Sequence, residues 1–177
     1  MLELAERGYA GFSVEGVSRR SGVSKSTIYR HWRDRADLVA DAMDAMNVQP
    51  RPEGAGEAPG SAREGVRVVL NHLVESMGTS TMVGRVLPAL IEAAAQDETL
   101  AEMSREYAAR RRETLRNVIA AGVGSGEFRS SIDPEAASIA LAGAFVYRRL
   151  LTDTPMDEAS VEALMTTVLG GVDFGAP

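Results

Sequence analysis

Between Phe12 and Leu38 the chain reads FSVEGVSRRSGVSKSTIYRHWRDRADL, and the capping residues and glycine in that span leave little room for anything but two short helices about a tight turn. Ser13 is placed to cap a helix whose Val14 and Val17 share one face. Gly22 suits the left-handed residue that ends it, so this helix stops near Ser21. Ser24 supplies the next N-cap, and Ile28 and Trp32, four apart, form a stripe predicted to bury against Val14, Val17 and Val23. The opposite face carries Lys25, Ser26, Thr27, Tyr29 and Arg30, a mixture of cations, hydroxyls and an amphipathic ring that can address phosphates and base edges together. Asp34 then caps a further helix, with Asp37 in its first turn, where the helix dipole favours negative charge.

The overall charge of −6 hides an uneven distribution. Residues 19–35 hold Arg19, Arg20, Lys25, Arg30, Arg33 and Arg35 against Asp34 alone, a local charge of +5. Residues 48–177 hold 12 basic and 18 acidic side chains, a charge of −6. A basic head on an acidic body is the asymmetry of a protein that touches nucleic acid at one end.

The order GYAGFSVEGVSRRSGVSKSTIYRHWRDRADL resembles the helix-turn-helix of the TetR family of bacterial transcriptional regulators. The resemblance implies an all-α fold: a three-helix helix-turn-helix DNA-binding head at 1–47, a loop or linker at 48–61, and a helical effector-binding and dimerisation domain at 62–177. It implies a recognition helix from Lys25 to His31, with Lys25, Ser26, Thr27 and Tyr29 toward the groove and Tyr29 and His31 on phosphates. Arg30 joins this set, and Arg35 matches a basic residue at the start of the family's fourth helix, another phosphate contact. Val14 and Glu15, at a helix start, lie close to DNA, where Glu15 is repelled unless it accepts from a cytosine amine. Met1-Leu2-Glu3-Leu4-Ala5-Glu6-Arg7 resembles only the last two turns of the family's usual first helix, without its basic arm: either further residues precede Met1 in the natural protein or the protein starts short, and in the second case binding is weaker by the loss of an arm whose phosphate contacts each add about 0.9 to the salt slope.

From Asn47 to Ser61, NVQPRPEGAGEAPGS is too rich in proline and glycine for a helix. Beyond it, Val66, Val69, Leu70, Leu73, Val74 and Met77 recur at helical spacing, as do Met82, Val83, Val86, Leu87, Leu90 and Ile91, with a kink or break expected at Pro88. A longer helix is predicted from about Glu98 to Ala121, ending in GVGSGEF, and no β pattern or internal repeat is visible.

Asp133-Pro134 opens PEAASIALAGAFVYRRLL, apolar nearly all round, with Ala140, Gly143 and Ala144 small enough for close helix approach. Such a helix needs partners on every side, and a second copy across a two-fold axis supplies one of them. Val161, Leu164, Met165, Val168, Leu169 and Val172 form a matching stripe. Together they predict a homodimer through helices near 134–152 and 157–172, with Arg148 and Arg149 at its rim; a central helix buried in a monomer is the other reading. In a dimer, two recognition helices enter successive major grooves of a pseudo-palindromic double-stranded operator.

By resemblance, a small-molecule effector binds among the middle helices and releases the operator by favouring one of two conformations. Met77, Met82, Met103, Tyr107 and Phe145 are the candidate lining residues, since methionine adapts to varied apolar ligands and tyrosine adds a polar tip. Two of the three arginines at 110–112 are expected to face solvent, and His72 is read as a surface residue. With two histidines and no cysteine there is little from which to build a triad or metal site, so no enzyme, cofactor or metal is expected. No apolar run nears the ~20 residues of a membrane span, and a cytoplasmic location is expected. The competing function is a helical ligand-binding dimer that has lost DNA binding with its short N-terminus.

Overall fold

The computed structural model describes residues 1–47, 60–78, 80–152, 154 and 156–170. The predicted linker at 48–61 falls almost wholly outside these residues, as does Val172. Among the described residues there are nine α-helices and no strand, and the chain divides into two compact units. The first gathers the residues up to 47 with those of 77–109, and the second gathers 60–76 with 110–170.

In the first unit the chain forms α1 (Leu2–Gly11), α2 (Val14–Ser21), α3 (Lys25–His31) and α4 (Arg35–Asn47). The starts of α2, α3 and α4 obey the expected local chemistry, whereas Met1 before α1 offers no side-chain cap. Ser13 accepts from the Gly16 N–H at 3.1 Å, Ser24 from that of Thr27 at 3.3 Å, and Asp34 from that of Asp37 at 2.9 Å. Gly22 ends α2 at φ +75°, a conformation in which a Cβ is strained. Three residues of the predicted stripe are less than fully buried, and Val17 of α2 is half-buried at the edge of the core. Val23 is 40% exposed because it lies in the turn between α2 and α3, off any helix face; its carbonyl accepts from the Ser18 hydroxyl at 2.7 Å. Trp32 is half-buried at the C-terminal cap of α3, where its indole N–H donates to Asp41 at 3.2 Å.

The same unit contains α6 (Met82–Gln96) and the first part of α7 (Glu98–Gly124). α1 packs along α6, and the shared core joins Leu4, Tyr9 and Phe12 to Val39, Ala40 and Met43 of α4, Val86, Ala89, Leu90 and Ala93 of α6, and Leu100 of α7. Met82, Met103 and Tyr107 pack against its edge. α6 continues through Pro88 without the expected break, with the ring on the helix's exposed side. Proline removes a single donor from the ladder, and a helix anchored by four buried residues on its other face, Val86, Ala89, Leu90 and Ala93, tolerates that loss.

The second unit holds α5 (Ala62–Ser76), the remainder of α7, α8 (Pro134–Tyr147) and α9 (Glu158–Met165). α8 and α9 each continue into one π-helical turn, Arg148–Thr152 and Thr166–Gly170. α5 is capped from far along the chain: Glu127 accepts the Ala62 N–H at 2.6 Å and the Arg63 N–H at 2.8 Å. Gly122 lets the Phe128 ring fold back onto the end of α7, where a Cβ would collide with that ring and with Ala62. Asp133 caps α8 with Pro134 in its first turn, as expected. Val66, Leu70, Leu115, Ile119, Leu141, Phe145, Val161, Met165 and Leu169 are buried. The predicted solvation of the arginine run is corrected: Arg110 is exposed, whereas Arg111 and Arg112 are half-buried, donating to Ser76 and Glu135 at 3.1 Å each. His72 is half-buried on α5.

Candidate nucleic-acid interface

α3 is fixed to its unit through Ile28, 3% exposed, while the residues that surround Ile28 in sequence face outward. Lys25, Ser26, Tyr29, Arg30 and His31 are exposed and Thr27 is half-buried, so the face predicted from helical phase is the face the fold leaves open. Tyr29 is 52% exposed, so its ring and hydroxyl are open on that face. The hydroxyls of Ser26 and Thr27 each lie 2.9 Å from that of Ser24, which ties them into one cluster at the start of the helix. His31 and Trp32 pack tilted at 56° with ring centroids 5.6 Å apart.

Arg35 is held by a different device. Its guanidinium lies over the Tyr9 ring, 4.3 Å from the centroid, and one amine reaches the Tyr9 carbonyl at 3.5 Å. A planar guanidinium stacked in this way keeps further donors for an anion. Tyr9 is itself fixed, since its N–H and that of Ala10 donate to the Glu92 carboxylate of α6 at 2.9 and 3.2 Å.

The basic cluster is more heavily paired than the linear sequence suggests. Arg20 is bound by Glu3 at 3.3 Å and by Glu6, and Glu6 also lies 3.9 Å from Arg85 of α6. Arg33 pairs with Asp37 at 3.4 Å, and Lys25 with Glu15 at 2.9 Å. Arg20 holds the Glu6 carboxyl below its usual range, and Lys25 does the same to Glu15. The carboxylates of α1 and α2 offset part of the local positive charge. The involvement of Glu15 with Lys25 was invisible to a count along the chain because the two are ten residues apart, although their positions at neighbouring helix starts could have suggested it.

Of the candidate effector-lining residues, Met77, Met82, Met103 and Tyr107 are half-buried in the first unit, and Phe145 is buried in the second. α8 is not closed on all sides: Ile139, Ala140, Gly143 and Tyr147 are exposed, and Leu151 of the π-helical turn is 72% exposed. On α9 and its extension Ala159, Ala163, Thr166 and Thr167 are likewise open.

A capped helix, a left-handed glycine turn and a second helix presenting an exposed basic and hydroxyl face define a helix-turn-helix DNA-binding head on a helical body. Residues 2–42 match the family model for bacterial regulatory proteins of the tetR family, and residues 57–168 match that for the tetracyclin repressor-like C-terminal domain. The chain belongs to the TetR family of bacterial transcriptional regulators and is a DNA-binding regulator of that family. It is 29% identical over 175 residues to the uncharacterized HTH-type transcriptional regulator YdeS of Bacillus subtilis, covering 96% of this chain and 83% of that one. It is 29% identical over 172 residues to the DNA-binding transcriptional repressor TetR of Mycobacteroides abscessus, covering 94% and 85%. The crystal structure of the TetR family transcription regulator SCO0332 superposes with a TM-score of 0.66 at 33% identity, over 98% of this chain and 92% of that one. Among the described residues no helix is long and apolar enough to cross a membrane.

Proposed function

We propose that the chain is a repressor that binds a pseudo-palindromic operator as a homodimer in the cytoplasm and is released from it by a small molecule. The exposed face of α3 carries this reading: Ile28 secures the helix from beneath while Lys25, Ser26, Tyr29, Arg30 and His31 stay open to a duplex, with Arg35 beside them at the start of α4. Lys25, Ser26 and Thr27 read base edges, and Tyr29, Arg30, His31 and Arg35 hold phosphates and set the register. Likeness to a curated repressor supports the direction of regulation.

Dimerisation runs through α8 and α9 of each copy. The support is the exposed apolar and small-residue surface at Ile139, Ala140, Gly143 and Tyr147 of α8 and Leu151 just beyond it. The effector site draws on Met77, Met82, Met103 and Tyr107, whose flexible or half-polar side chains suit an apolar ligand with one polar group.

Selection of duplexes from a random library tests this, using the full chain and a variant with Lys25→Ala and Tyr29→Ala. An enriched palindrome that the variant fails to select supports the proposal. No enrichment by the wild-type chain points instead to a ligand-binding dimer that does not read DNA.

A further inference from the structure

The ion pair between Glu15 and Lys25 joins the first turn of α2 to the first residue of α3, Nζ to Oε1 at 2.9 Å. Both side chains are more than half exposed, and a pair so placed contributes little to folding. It also has a cost for a protein that approaches phosphates, because it sets a carboxylate on the binding face and occupies a cation. Residues at the start of a recognition helix are the ones that reach base edges.

The pair presents an ammonium beside a carboxylate, a donor next to an acceptor. In the major groove a G·C pair offers two adjacent acceptors, guanine N7 and O6, followed by the cytosine N4 amine as donor. Ammonium on N7 and O6 with carboxylate on N4 satisfies both charged groups without parting them. An A·T pair places the adenine N6 amine between two separated acceptors, N7 and O4, so the ammonium finds one acceptor at a time, and the thymine methyl flanks the other side. Phosphates offer the carboxylate nothing.

We propose that Glu15 and Lys25 act as a single reader selecting a G·C pair in each half-site, with Glu15 as the specificity-determining residue that also weakens binding to DNA lacking that pair. This rests on the reading of α3 as the recognition helix. Glu15 positions the ammonium and supplies the acceptor, whereas Lys25 by itself would bind guanine edges and phosphates alike.

The test uses the full chain with Glu15→Gln and Glu15→Ala, each melted beside the wild type to show that the exposed substitution leaves the fold intact. Duplexes are selected from a random library, and affinities are then measured for the selected site, for a site with one G·C exchanged for A·T in each half, and for scrambled DNA over a salt series. The wild type is expected to favour G·C about tenfold at one position of each half-site. Glu15→Ala should lose most of that preference at that position alone and Glu15→Gln less of it, because the amide oxygen still accepts from cytosine, and both should bind scrambled DNA more tightly and steepen the salt slope by about 0.9 per protomer as Lys25 turns to phosphate. Unchanged base preference and salt slope in both variants overturn the proposal while leaving the regulator reading intact. A wild-type chain that selects no duplex overturns both.

Discussion

Glu92 of α6 accepts the backbone N–H of Tyr9 at 2.9 Å, across 83 residues of sequence, and the same carboxylate takes the N–H of Ala10 at 3.2 Å. The contact is possible because α1 breaks at Gly8, where φ of +66° turns two backbone donors outward. A Cβ on Gly8 would lie 2.9 Å from the Glu92 Oε2. Above the same Tyr9 ring sits Arg35, so the residue proposed to hold a phosphate is positioned by a segment that α6 anchors.

Removing that anchor should be costly. Glu92→Ala leaves two oriented backbone donors without their carboxylate and is expected to lose about 1–3 kcal/mol of stability in urea unfolding. Gly8→Ala should lose a similar amount, about 1–3 kcal/mol, through backbone strain and crowding of Glu92. A neutral result in both would mean that α1 re-forms without the break.

Ile28 and Tyr29 are neighbours with opposite expectations. Ile28→Ala empties a buried position and should cost about 2–5 kcal/mol. Tyr29→Ala should leave the melting temperature close to that of the wild type while weakening operator binding. A large loss of melting temperature for Tyr29→Ala would place that ring in the core.

Trp32 is the chain's one tryptophan, and its fluorescence therefore reports on the head alone. Because it is half-buried and its indole N–H meets Asp41, Trp32→Ala is expected to cost about 0.5–3 kcal/mol, less than a fully buried indole would. Thermal or urea unfolding followed by circular dichroism checks it.

Acid should weaken the fold. The Arg20 hydrogen bond holds Glu6 below its ordinary 4.5, Arg33 holds Asp37 below 3.8, and Arg63 with Arg67 holds Glu162 below 4.5. With folded-state values depressed, the unfolded chain binds more protons in acid. The stabilisation is complete above the ordinary values and is lost as pH falls through the folded ones. The melting temperature is expected to be level from about pH 7 to about pH 5 and to decline below about pH 4.5, less steeply in high salt. A flat profile to about pH 3 would show that these exposed pairs contribute nothing.

Ile139→Glu places a charge on the exposed face of α8 without touching the buried residues beneath. It is expected to yield a folded monomer in sedimentation, with operator binding weakened along with dimerisation. A persistent dimer would move the interface elsewhere.

What the linear sequence determined is what physics settles within three or four residues. Ser13, Ser24, Asp34 and Asp133 cap the helices that follow them because a side-chain oxygen meets an N–H two or three residues on, and Gly22 ends α2 because its own backbone must turn left-handed. The apolar period placed Ile28 inside and Lys25, Tyr29 and Arg30 outside, so the candidate interface was legible before any fold. The tertiary structure decided matters that depend on distant partners. Val23 faces outward because a turn residue belongs to no helix face, and Pro88 breaks nothing because α6 is held by the core on its other side. The charge count along the chain missed that Glu3, Glu6 and Glu15 come back onto the basic cluster. Glu92 and Glu127 cap helices and donors 83 and 65 residues away, since a free N–H takes whichever acceptor the fold brings to it and proximity in space is not written in local pattern.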